Sequence, residues 1–267
     1  EALCILLYRL RYPSRLVDMM EKFHRSKAEL SLIINVILED LYDRFNFLFA
    51  SLALDQEALN KFSEAVKDKG APLDNCFGFI DGTVRPMCRP INGQRLFYNG
   101  HKRVHAIKFQ SVSLPNGLVA DLYGPTEGRR HDAYLLQQSH LLTRLQALPR
   151  KENGDFFCLY GDPAYPITPR LMCPFKGAAL DEDQREFNKS MSSCRQTVEW
   201  CFGKISTNFA FLDFKKDIKI LLQPIAKYYI IGALLTNCHT CLYGSQTSMF
   251  FACSPPTLEN YLAGNLC

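Results

Sequence analysis

Apolar residues recur at helical spacing from Ala2 to about Phe47. Ala2 to Arg11 is apolar and basic, and Pro13 breaks it. Leu16, Val17, Met20 and Phe23 mark a short amphipathic helix, followed by a turn at His24-Arg25. Ser26 is a good N-cap, with Glu29 three residues on to complete a capping box. The helix it opens places Leu30, Ile33, Ile34, Ile37, Leu38 and Leu41 on one face. Two helices joined by a short turn have the form of a helix-turn-helix. The plain alternative is a small bundle packed on the main domain. Lys69-Gly70-Ala71-Pro72 reads as a linker, so residues 1–75 are expected to form a separate helical region.

From Cys76 the period shifts to that of strands. Cys76 to Pro86 contains Phe77-Gly78-Phe79-Ile80-Asp81-Gly82-Thr83, a buried-looking strand that delivers one carboxylate beside a glycine. Val104 to Leu114 alternates as a half-buried strand, with His105, Lys108 and Gln110 among the apolar positions. Pro115-Asn116-Gly117 is a hairpin turn into a third strand, Leu118 to Tyr123. A loop through Gly124–Gly128 precedes a helix begun by Asp132, and Phe156 to Gly161 is a fourth strand ending in Asp162. Prolines 163, 166, 169 and 174 argue against long elements before about Ser192. Helices are then expected over about Ser192–Phe209 and Leu222–Leu242, and residues 244–267 as a loose tail. Three consecutive strands, a helix and a returning strand define an α/β chain with a mixed sheet and flanking helices over residues 76–243.

Composition narrows this little. The 267 residues are 47% hydrophobic, enough for a full core, and the net charge of +4 permits nucleic-acid binding. The charge is uneven. Residues 1–74 hold ten Lys/Arg against twelve Asp/Glu, whereas Gly82 to Gln110 holds six Lys/Arg and no acid. Eleven scattered cysteines and no secretory pattern point to reduced intracellular thiols. No apolar run is long enough for a membrane span. The chain starts with Glu1 rather than Met, as a fragment would.

Asp81 and Asp162 end apolar runs, and Glu199 lies on a helix whose apolar face carries Cys194, Val198, Cys201, Phe202 and Ile205. Each alone is a turn or surface acid. Brought together, three hard carboxylates would suit Mg²⁺ or Mn²⁺ and two-metal phosphoryl transfer.

Several stretches resemble the PIF/Harbinger-type transposases and transposase-derived nucleases. They are Phe79-Ile80-Asp81-Gly82-Thr83, Tyr98-Asn99-Gly100-His101-Lys102, Gly124 through His131-Asp132, Gly161-Asp162-Pro163-Ala164-Tyr165, Phe187-Asn188 and Arg195 through Gly203. The resemblance covers roughly residues 77–240. It implies an RNase H-like fold and a DDE nuclease with Asp81, Asp162 and Glu199 as catalytic metal ligands. Thirty-six residues lie between the last two acids, close to the family's usual separation. Asp132 also matches a family position. It begins a helix rather than ending a strand, so its plain role is an N-cap, with assistance to the metal as the alternative. The resemblance further implies DNA as substrate, a nuclear location and a separate Myb-like DNA-binding protein. A homodimer is compatible with joining two DNA ends. The competing function is a domesticated, non-cleaving DNA-binding or protein-interaction module.

Lys102, Arg103, Arg129 and Arg130, with Lys108, are candidates for phosphate contacts, against the plain reading of surface charge. Arg195, one turn before Glu199, either pairs with it, orients it or holds a phosphate. Cys238-His239-Thr240-Cys241 has the look of a metal motif. It lacks a second pair and reads better as buried thiols, and Trp200 as a core residue.

Overall fold

The computed structural model describes residues 1–216, 218–220 and 222–267. Four helices come first: α1 (Ala2–Arg11), α2 (Leu16–Phe23), α3 (Lys27–Phe45) and α4 (Gln56–Lys67). The capping box at Ser26 forms as expected: the Ser26 hydroxyl accepts from the Glu29 N–H, and the Glu29 carboxylate accepts from the Ser26 N–H. Leu30, Ile34 and Leu38 of α3 are buried, and they belong to the same continuous apolar core as the sheet.

The sheet begins with β1 (Cys76–Pro86). A short turn of helix, α5 (Gln94–Phe97), leads into β2 (Tyr98–Asn99), β3 (Val104–Ser113) and β4 (Val119–Glu127). Then come α6 (Asp132–Gln138) and α7 (Leu141–Ala147), β5 (Cys158–Tyr160) and β6 (Leu171–Met172). β3 pairs antiparallel with β1, β2 and β4, while β5 runs parallel to β1 and β6 parallel to β5. This is a mixed six-stranded sheet, with the strand order expected of an RNase H-like fold. Long helices α8 (Glu182–Asn208) and α9 (Ile225–Tyr243) follow, then α10 (Gln246–Phe250) and α11 (Leu258–Leu262). Among the described residues no helix is long and apolar enough to cross a membrane, and all eleven cysteines are free thiols.

Four expectations need correction. β3 is buried on both faces rather than alternating, because α6 covers its second face. Gln110 is enclosed there, with its amide donating to the Ser139 hydroxyl. The expected single helix after Asp132 is two. His140 turns left-handed (φ 52°) between them. α8 begins ten residues earlier than its apolar face indicates. Asp181 caps it and Gln184 completes a capping box just past the last proline. The tail is not loose, since Phe251, Cys253, Tyr261 and Leu266 are buried.

Asn237 fixes that tail. Its side chain accepts from the Val119 N–H (3.0 Å) and donates to the Val119 carbonyl (2.8 Å) and the Tyr261 hydroxyl (2.9 Å). Asn237 is fully buried, so truncation strands three polar groups away from water. Asn237→Ala is expected to lower unfolding stability by about 2–4 kcal/mol. Leu32→Ser on the exposed side of α3 is expected to change it by less than about 0.5 kcal/mol. Urea unfolding of both variants checks the contrast.

Candidate active site

β1 is anchored by Phe77, Phe79 and Ile80, all essentially inaccessible to solvent. Asp81 follows, and it lies mid-strand rather than at a strand end, since pairing with β3 continues to Pro86. What ends at this level is the neighbour. Phe79 is in register with Tyr160, the last residue of β5, so Asp162 comes off β5 beside Asp81. The third acid comes from the other direction. A Cβ on Gly82 would lie 2.6 Å from Asp132 Oδ1, so the missing side chain of Gly82 is the space that Asp132 fills. Asp132 is not an N-cap. His131 holds that position, and the Asp132 carboxylate turns to the sheet, where it accepts from Lys108 Nζ. Lys108 also donates to the Arg130 carbonyl (3.0 Å) and is buried, which removes it from the candidate phosphate contacts.

Asp81 Oδ1 accepts from the Gly82 N–H (2.8 Å), and Oδ2 accepts from Arg195 Nη1 of α8 (3.1 Å). Arg195 therefore pairs across to β1 and not with Glu199. Burial pushes the Asp81 carboxyl up to about 6. Arg195 and the Gly82 N–H pull against that rise, and the charges of Asp162 and Asp132 add to it. Asp162 Oδ1 accepts the Ala164 N–H (2.9 Å) and meets no cation.

Beneath the acids lies Tyr165, a residue that sequence reasoning quoted but assigned no role. It is 1% exposed, and its hydroxyl has no hydrogen-bond partner. Burial raises its pKa well above the usual phenol value, and Asp132, Asp81 and Asp162 raise it further. Gly161 makes room for this ring, since a Cβ there would lie 2.8 Å from Tyr165 Cδ2. The glycine directly after an apolar strand end was the available signal.

Glu199 is not gathered with the three aspartates. It is exposed on α8, its side chain makes no hydrogen bond or ion pair among the described residues, and it borders a recess of about 540 Å³ lined also by Gly117, Trp200, Lys204 and Asn237. Among the described residues no three His, Cys, Asp or Glu side chains converge as a metal-binding group. Trp200 packs edge-on against Phe250. Burial holds the Cys238 and Cys241 thiols up at about 11 and 12, which keeps them protonated and poor metal ligands.

Lys102, Arg103 and Arg129 are exposed and form no ion pair among the described residues. They share one rim. The Asn99 side chain donates to the Gly128 carbonyl and accepts from the Lys102 N–H, both at 2.8 Å, and the Arg129 N–H donates to the Leu96 carbonyl (3.2 Å). Arg130 is instead committed to Glu127 and lies over the Tyr134 ring (4.3 Å). The rim runs directly into Asp132.

The sequence profile of the DDE superfamily endonucleases matches residues 80–237, more than half of the chain. The chain belongs to this family. It is 24% identical to "Protein ALP1-like" of Arabidopsis thaliana over 80% of its own length and 54% of that protein's. It is also 24% identical to "Putative nuclease HARBI1" of Bos taurus, over 72% of the chain and 52% of that protein. The human protein of the same name is 23% identical over the same shares. The chain thus spans about half the length of the curated relatives it matches. No solved structure gives a significant match.

The Asp81 shift sets a pH dependence. The folded carboxyl titrates near 6 and the unfolded one near 3.8, so the folded state holds the proton more tightly. Stability from this group is fully present below pH 3.8 and is lost as pH rises through 6. Asp81→Asn, which cannot ionise, is expected to be more stable than the parent by about 1–3 kcal/mol at pH 7.5 in chelator. It is expected to match the parent near pH 4. Urea unfolding at the two pH values checks the sign.

Proposed function

We propose that this chain is a divalent-metal-dependent nuclease that cuts DNA phosphodiester bonds. The observation that carries the reading is that Asp81 in β1 and Asp162 off the end of β5 lie side by side, with Asp132 reaching Gly82 from α6, near the exposed Lys102, Arg103 and Arg129 and inside the segment that matches the family. The donor set fits Mg²⁺ or Mn²⁺. It is all hard oxygen, burial lifts Asp81 and the charges of Asp162 and Asp132 add to that rise, and the buried Tyr165 hydroxyl beneath it has no partner among the described residues. Asp81, Asp162 and, from α8, Glu199 would be the ligands, with Asp132 assisting.

A bound divalent cation supplies Lewis acidity, activating an attacking water or 3′ hydroxyl and stabilising the leaving oxygen. The protein's own part is positional. Burial of β1 fixes Asp81, and the end of β5 sets Asp162 beside it. Lys108 holds Asp132 against Gly82. Lys102, Arg103 and Arg129 offer charge to a DNA backbone without reading sequence. A nuclear location, a Myb-like partner and a homodimer rest on the family resemblance alone.

A second reading has its own observation. Arg195 occupies Asp81, and Glu199 faces outward, as they would in a domesticated DNA-binding module that no longer cleaves. Nicking of supercoiled DNA separates the two. The nuclease reading expects cleavage that requires Mg²⁺ or Mn²⁺ and falls to the metal-free level in Asp81→Asn and Glu199→Gln. Cleavage equal in parent and variants, or none from the parent, overturns it.

The basic rim is tested apart from chemistry. Lys102→Ala and Arg129→Ala are each expected to weaken DNA binding evenly across sequences and to reduce the salt slope by about 1. Binding titrations over a range of salt concentrations read this.

A further inference from the structure

Asp81, Asp132 and Asp162 lie near enough to act on one another's charge, and among the described residues only Asp81 and Asp132 have a cation partner. Lys108 is buried with Asp132. Arg195 pairs with Asp81 while both side chains are largely enclosed, 24% and 17% exposed. Asp162 has only a backbone N–H. The Tyr165 hydroxyl, enclosed among the three, has nothing to bond. The arrangement is short of one positive charge, and the guanidinium on Asp81 covers an oxygen that a divalent cation would need.

The two side chains that matter lie on the same helix. Arg195 and Glu199 are one turn apart on α8, which separates them by about 40° around the axis and 6 Å along it. Arg195 points in and Glu199 out. Among the described residues the guanidinium has one hydrogen bond, to Asp81 Oδ2. Arg85, four residues beyond Asp81 on β1, is by contrast bonded to Ser206, paired with Asp213 and packed over Tyr229. A planar guanidinium serves carboxylate and phosphate equally well, so Arg195 released from Asp81 has a second use on the substrate side.

We propose that Arg195 is the resident counter-ion of Asp81 in the metal-free chain and competes with a divalent cation for that carboxylate, leaving as Glu199 turns in from the next turn of α8. Arg195 is then a positioning residue that holds the site closed until metal arrives. The inference rests on the metal-site reading above.

Mn²⁺ binding to the full chain, measured by calorimetry and by the rise in thermal midpoint over a chelator control, tests it without reference to cleavage. Arg195→Gln is expected to bind Mn²⁺ about ten-fold more tightly than the parent, equivalent to about 1.4 kcal/mol. In chelator it is expected to unfold at a lower temperature. Should Arg195→Gln fail to fold, Arg195→Lys keeps a charge but not the planar fork, and a smaller tightening is expected there. Asp81→Asn is expected to abolish binding in either background. A structural pair that merely orients Asp81 gives the opposite sign, weaker Mn²⁺ binding in the Arg195 variants. Unchanged or weaker binding there, with Asp81→Asn still abolishing it, overturns the competition and leaves the metal site standing. Mn²⁺ binding that Asp81→Asn does not alter, or no binding by the parent, overturns the metal site and the competition together.

Discussion

The fold sets a charge where it has removed most of the water. Asp81 sits in the middle of a strand whose preceding residues are fully buried; β3 holds it in register, and the ladder with β5 ends two residues before it. An isolated carboxylate there would protonate, and its pKa has moved far in that direction. Arg195 and the Gly82 N–H are the available compensation, and Lys108 answers Asp132 instead. The packing of α6 and α8 against β1 is therefore tied to this cluster. α6 must bring Asp132 over Gly82, and α8 must bring Arg195 to Asp81. Neither helix could shift by a turn without leaving a buried charge unpaired, which costs several kcal/mol.

Much of this was legible in the sequence, because it is written in local chemistry. The apolar run into Asp81, the Pro115-Asn116-Gly117 turn and the strand ending in Asp162 follow from burial and turn preferences that act over a few residues. So does the capping box at Ser26. The family's DDE assignment rests on the same stretches. What the sequence did not yield depends on neighbours far along the chain. Lys108 reads as a surface cation by alternation, and only the cover supplied by α6 makes β3 a doubly buried strand. Asp132 reads as a cap by position, and only the empty side of Gly82 tells where its carboxylate goes. The early start of α8 was legible in Asp181 and Gln184 but was outweighed by the run of prolines before it.

The partners of Arg195 show the same limit more sharply. Spacing along a helix favours Glu199, four residues on, and an exposed pair of that kind contributes a few tenths of a kcal/mol. Asp81 lies 114 residues away in sequence and is mostly buried. A charge-assisted bond to a desolvated carboxylate is much stronger than one at the surface, so the distant partner wins. Glu199 is left facing solvent as a direct result.

That preference bears on how such a site can work at all. A cluster of three aspartates with no counter-charge would destabilise the fold, and a cluster neutralised permanently could not bind metal. Arg195 meets both demands because its hold on Asp81 is a single bond on a long, flexible side chain, and not a network. Lys108, itself buried and with two partners, cannot play that part, since releasing it would strand the Arg130 carbonyl and the Asp132 carboxylate together. One internal cation is thus structural and the other exchangeable, and the difference between them is the number of bonds each would leave behind.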